Sequence, residues 1–147
     1  MADLKDIIQR GSRFFNERNV DGLVDLYTDD AEASAPGGMV ARGKAEIRKL
    51  TESWITGFPD AEIHDHRLIA EGNVVIAEGT FRGTHTGPFA TPMGEIPPTG
   101  RTVEGPYVDV FEFEGDKVKT DRLSFDRMQL MEQLGLVPTP AAAGASN

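Results

Sequence analysis

The chain contains no cysteine, which excludes a disulfide framework, a thiolate nucleophile and any cysteine-ligated metal. It is also short of positive charge: 15 Lys and Arg stand against 24 Asp and Glu, a net charge of −9. That balance repels phosphate backbones and anionic headgroups, so neither nucleic acid nor a membrane surface is an expected partner. Histidine is scarce, with three in the chain, at positions 64, 66 and 85. No apolar run approaches the roughly 20 residues of a membrane span. The opening Met1-Ala2-Asp3-Leu4-Lys5-Asp6 lacks the basic-then-apolar order of a secretory signal, so a cytoplasmic protein is expected.

What is present suffices for one core. Of 147 residues, 39% are hydrophobic and 27% charged, close to the globular average, which excludes global disorder and fits a single domain over residues 1–137. The tail 138–147, rich in Pro and Ala, has nothing to bury and is expected to be disordered.

Periodicity then divides the chain. Leu4, Ile7, Ile8, Phe14 and Phe15 make a helical stripe that Asp3 can cap, with Gly11 as its weak point. A short second helix carries Leu23, Val24, Leu26 and Tyr27 and ends at Thr28-Asp29-Asp30. Pro36-Gly37-Gly38 reads as a turn between two short strands, and a third helix runs from Lys44 to about Gly57, with Ile47, Leu50 and Trp54 along one face. Beyond Phe58-Pro59-Asp60 the pattern alternates with period two. Strands are expected at about Ala61–Glu71, Asn73–Thr86, Thr102–Glu114 and Lys117–Phe125, with a long Pro/Gly-rich loop over Gly87–Gly100 and a last helix over Asp126–Leu134. Helices first and adjacent antiparallel strands afterwards is the α+β pattern: a sheet with one apolar face, curled around three N-terminal helices. The mouth of such a cone is where an apolar pocket with a few polar groups forms.

Several stretches, in this order, resemble the SnoaL-like polyketide cyclase family of the nuclear-transport-factor-2-like superfamily. They are Asn19-Val-Asp-Gly-Leu-Val-Asp-Leu-Tyr-Thr-Asp-Asp, Arg42-Gly-Lys-Ala-Glu-Ile-Arg, Gly57-Phe-Pro-Asp, Gly83-Thr-His-Thr-Gly87, Ile96-Pro-Pro-Thr-Gly-Arg101 and Leu130-Met-Glu-Gln-Leu-Gly. The resemblance implies a cone that encloses a hydrophobic small molecule and needs no metal or organic cofactor. It also implies ring closure by intramolecular aldol chemistry or a related isomerisation, driven by one carboxylate. The likeness breaks in the last strand. Leu123 stands where the family's usual Asp stands, and Asp121 where its His stands.

Alternation nominates the replacements. Asp121 shares a strand face with Leu123 and Phe125, where desolvation would raise its pKa; the competing reading is a strand-end acid paired to Arg122 or Lys119. Asp109 shares a face with Tyr107, Phe111 and Phe113, which makes it a second acid–base candidate and Tyr107 a candidate donor to a substrate carbonyl; ordinary structural roles compete for both. His85, at a strand end, is either catalytic or bonded to a loop carbonyl. His64 and His66 lack an assured third ligand, so no metal is expected. Phe15, Trp54, Phe58, Phe89, Phe111, Leu123 and Phe125 are the expected substrate-binding walls. Val74, Ile76, Val108 and Val110 on the opposite strand faces suggest a homodimer through the outer sheet. The leading functional expectation is a cofactor-independent cyclase or isomerase-type lyase. Its alternatives are a non-catalytic small-molecule binder on the same fold, or an epoxide-hydrolase or hydratase-like enzyme needing the Asp109 and Asp121 pair.

Overall fold

A computed structural model describes residues 3–138, so the expected tail lies almost wholly outside the described residues. Helix α1 (Leu4–Asn16) starts where the Asp3 carboxylate accepts the Lys5 amide at 3.0 Å, and it runs through Gly11 without a break. Next come α2 (Val20–Val24), the hairpin β1 (Tyr27–Ala35) and β2 (Met39–Arg42), and α3 (Gly43–Gly57). The rest is mainly strand: β3 (Glu62–Glu71), β4 (Val74–Thr84), β5 (Phe89–Thr91), β6 (Gly94–Ile96), β7 (Thr102–Glu114) and β8 (Lys117–Phe125), closed by α4 (Arg127–Gln133).

Six strands form one sheet in the order β2-β1-β8-β7-β4-β3, antiparallel except where β1 runs parallel to β8. The long hairpin β7–β8 turns at Gly115, whose φ of 63° is a left-handed conformation that costs glycine nothing. The expected loop 87–100 instead contains the small hairpin β5–β6, whose Phe89 is buried while Met93 at its tip is 83% exposed. Three-residue strands are too short to show a period, and this pair is held by docking on α3, where Phe89 meets Trp54 at 4.8 Å and Phe58 at 5.4 Å between ring centroids.

The inner sheet face and the helices enclose two apolar clusters. One joins Ile7, Ile8, Ile47, Val75, Phe111 and Val118. The other joins Phe15, Phe58, Phe89, Val103 and Leu134. A cavity opens where they meet. On the outer face Val108 is 38% exposed and Ile76 and Val110 are half-buried. Among the described residues no helix is long and apolar enough to cross a membrane.

Candidate active site

The cavity has a volume of about 210 Å³ and is walled mainly by apolar side chains, among them Phe15, Trp54, Phe111, Leu123 and Phe125. Asp109 and Asp121 come together within it because of strand register. Asp109 stands opposite Leu123 and Asp121 opposite Phe111, so the two acids are diagonal neighbours on the inner face of β7 and β8. Their flanking partners are small: Ala77 beside Asp109 on β4, and Ala33 beside Asp121 on β1. These alanines leave the space above the acids open.

The two carboxyls are placed to interact, by charge and by a hydrogen bond whenever one of them carries a proton. Removal from water first, then the Asp121 charge and that hydrogen bond, and lastly the Asp65 charge, hold the Asp109 pKa well above the ordinary carboxylate range. Asp121 has a different neighbour. The Tyr27 hydroxyl donates to its Oδ2 at 2.6 Å. Burial and the Asp121 charge raise the Tyr27 pKa far above the usual phenol value, so Tyr27 stays a donor. The surface pairing that competed for Asp121 does not form: Arg122 pairs with Glu112 at 3.5 Å and Lys119 with Asp30 at 2.6 Å.

A second polar unit crosses the sheet. Asp65 on β3, Gly79 on β4 and Tyr107 on β7 are in register, and the Tyr107 side chain passes over Gly79 to donate to Asp65 Oδ1 at 2.6 Å. Ser12 of α1 donates to the other carboxylate oxygen at 2.6 Å. A bulge that leaves His66 unpaired lets both Asp65 and Leu68 face inward. Burial, then the Asp65 hydrogen bond and charge, raise the Tyr107 pKa well above the usual range. A Cβ on Gly79 would collide with the Tyr107 hydroxyl and the His64 carbonyl. Gly79→Ala is therefore expected to cost about 1–3 kcal/mol, seen as a lower urea midpoint. An unchanged midpoint would contradict this packing.

Three expected site residues are not brought to the cavity. His85 is 0% exposed, its Nδ1 accepts the Thr99 amide at 3.2 Å, and its ring lies 5.2 Å from Phe58. Burial lowers its pKa, with a backbone hydrogen bond to Ile96 acting the other way, so the ring is neutral and serves to tie down the segment before β7. Phe58 and Phe89 belong to that same cluster behind Trp54. The sequence places His85 at a strand end, Phe58 at the end of the third helix and Phe89 in a loop, and none of these positions says which end of the core the side chain fills. His85→Ala is expected to cost about 2–4 kcal/mol by analogy with other buried-ring truncations while leaving the pH dependence of any turnover unmoved; a shifted pH profile would return His85 to the site.

Tyr27, Asp65 and Ser12 escaped the sequence reading. Asp65 carried a signal, an acid between two outward histidines on a strand, whereas Tyr27 was read as a helix face and instead begins β1. Among the described residues no group of three or more His, Asp or Glu is placed to hold a metal ion.

Comparisons with known proteins bear on the fold and the family. AclR from Streptomyces galilaeus, described as a candidate hydroxylase, superposes with a TM-score of 0.78 at 23% identity, over 100% of this chain and 95% of that one. IdmH from Streptomyces antibioticus, described as a candidate polyketide cyclase, gives 0.74 at 23% identity over 91% and 99%. TerC, crystallised with polyporic acid, gives 0.72 at 19% identity over 90% and 98%. At such identities the likeness establishes the fold. Comparison by sequence with curated proteins finds no match. The family model for SnoaL-like polyketide cyclases matches residues 5–134, nearly the whole chain, and the protein belongs to that family.

Proposed function

We propose that this chain is a cofactor-independent, cyclase-type enzyme in which Asp109 and Asp121 together perform acid–base chemistry on a hydrophobic carbonyl compound. The observation that carries the reading is the pair of acids set diagonally on neighbouring strands inside an apolar cavity. A pair with one proton holds an acid and a base at once. The ionised carboxyl takes a proton from a carbon flanked by carbonyls, and the resulting enolate attacks a second carbonyl of the same molecule. A carbon–carbon bond forms, the new alkoxide receives the other carboxyl's proton, and the pair returns to its starting state. Tyr27 holds Asp121 in place through this cycle, and the walls of Phe15, Trp54, Phe111, Leu123 and Phe125 keep the guest folded and exclude water. The crystallisation of TerC with polyporic acid supports small-molecule binding by this fold.

A container without turnover is the competing reading, favoured by Leu123 in the place of the family's usual acid. Exchange of the acidic C–H of ethyl benzoylacetate in heavy water, followed by NMR, separates the two. The enzyme reading predicts exchange well above the buffer rate. Binding with exchange at the buffer rate would establish the container.

A further inference from the structure

The cavity wall is unbalanced in charge. Asp65, Asp109 and Asp121 line it, Glu104 and Asp126 also contribute, and among the described residues no Lys, Arg or His does. The nearby cations are committed on the other side of the sheet, Arg122 to Glu112 and Lys119 to Asp30. With one proton shared as in the proposed reaction, the Asp109 and Asp121 pair keeps a single negative charge, and Asp65 acts as an acceptor toward both Ser12 and Tyr107.

The hydroxyls around these acids do not offset that charge toward a guest. Ser12 and Tyr107 both point their protons at Asp65, and Tyr27 points its proton at Asp121. Each therefore offers a guest only oxygen lone pairs. Oδ1 of Asp109 and Oδ1 of Asp121 are buried with no donor from the rest of the protein. A guest group against this surface meets acceptors and one shared proton. Enclosed charge without a counter-charge is costly, and a cationic guest supplies the missing partner. Aromatic side chains line the same space, Phe15 from α1, Trp54 from α3, Phe81 from β4 and Phe125 from β8, and an aromatic face attracts a cation.

We infer that the cavity selects hydrophobic molecules carrying a protonated amine, seated against Asp65, over neutral or carboxylate-bearing molecules of the same shape. The inference rests on the proposed site and names its substrate class: an amine-bearing carbonyl compound, the amine held by Asp65 while the acid pair works on the carbon skeleton.

Calorimetric titration of the full chain with 3-phenylpropylamine, 3-phenylpropan-1-ol and 3-phenylpropanoate tests it. The amine is expected to bind at least about tenfold more tightly than the alcohol, with the carboxylate weakest. The preference should survive in about 1 M salt, where exposed charges are screened within about 3 Å, and should be lost in Asp65→Asn while alcohol binding persists. Equal affinities, a preference that vanishes in salt, or no amine binding at millimolar concentration overturns it. Should Asp65→Asn fail to fold, the salt series on the unaltered protein still decides. Asp109→Asn separates this inference from the catalytic reading, because that variant is expected to lose carbon–hydrogen exchange yet keep the amine preference. An amine preference with no exchange in the unaltered protein would end the catalytic reading alone.

Discussion

Asp121→Asn is expected to slow exchange of ethyl benzoylacetate by about 10²–10⁴-fold, the usual worth of a positioned acid or base. The substitution is conservative in shape. The amide oxygen of Asn can still accept from Tyr27, so the hydrogen bond at 2.6 Å and the local packing survive. Only the ability to take up a proton is removed. Asp109→Asn is expected to cause a loss of similar size for the complementary reason, since it removes the proton that completes the cycle. The unaltered protein should show a bell-shaped profile of rate against pH whose two limbs belong to the pair, and each variant should lose one limb. Full exchange in either variant, measured by NMR against a buffer blank, would contradict the assignment.

Asp109→Asn is also expected to stabilise the fold. A carboxyl whose folded pKa is raised makes the folded chain keep a proton that the unfolded chain releases near the ordinary Asp value of about 3.9. Its contribution to stability is complete below that value and is lost as pH rises through the raised folded value. At pH values above this window the pair is a liability, through burial and mutual repulsion. Asp109→Asn removes the liability and gives Asp121 an amide donor, so it should be more stable than the unaltered protein at alkaline pH by about 1–3 kcal/mol, with the difference shrinking toward acid. Asp30 and Asp60 act in the opposite sense. The Lys119 hydrogen bond chiefly lowers the pKa of Asp30 and the Thr84 amide that of Asp60, so their contributions are present above the ordinary Asp range and fade as pH falls. Comparing variant with unaltered protein by urea unfolding across pH cancels these common terms. A variant less stable at every pH would show that Asp109 holds the fold together instead of straining it.

Asp109 and Asp121 stand on strand faces whose neighbouring positions are apolar. Phe111 and Leu123, directly opposite Asp121 and Asp109, show what the same strand positions carry when packing alone decides. Both acids were legible in the sequence because alternation runs along β7 and along β8 from Asp121 to Phe125, and the strand bounds, Thr102–Glu114 and Lys117–Phe125, follow from that pattern and the turn between them. Their meeting was not legible, since it depends on a register fixed by the turn at Gly115 and by a shift between Glu112 and Phe113. Tyr27 and Asp65 were hidden for a related reason. Each finds its partner far away in sequence, Tyr27 at 94 positions and Asp65 at 42, and nothing local marks such a contact. His85, Phe58 and Phe89 failed differently: their burial was foreseeable, but the docking of β5–β6 on α3 decides that they fill the closed end and not the cavity.

The central claim is that a proton resides between Asp109 and Asp121 under conditions where an ordinary carboxyl has lost it. Carbon-13 NMR of the aspartate side-chain carboxyls across pH, with Asp109→Asn and Asp121→Asn for assignment, measures this without any substrate. The account predicts an Asp109 carboxyl that keeps its proton well above the ordinary range. An Asp109 carboxyl that loses its proton near the ordinary value of about 3.9 would contradict it.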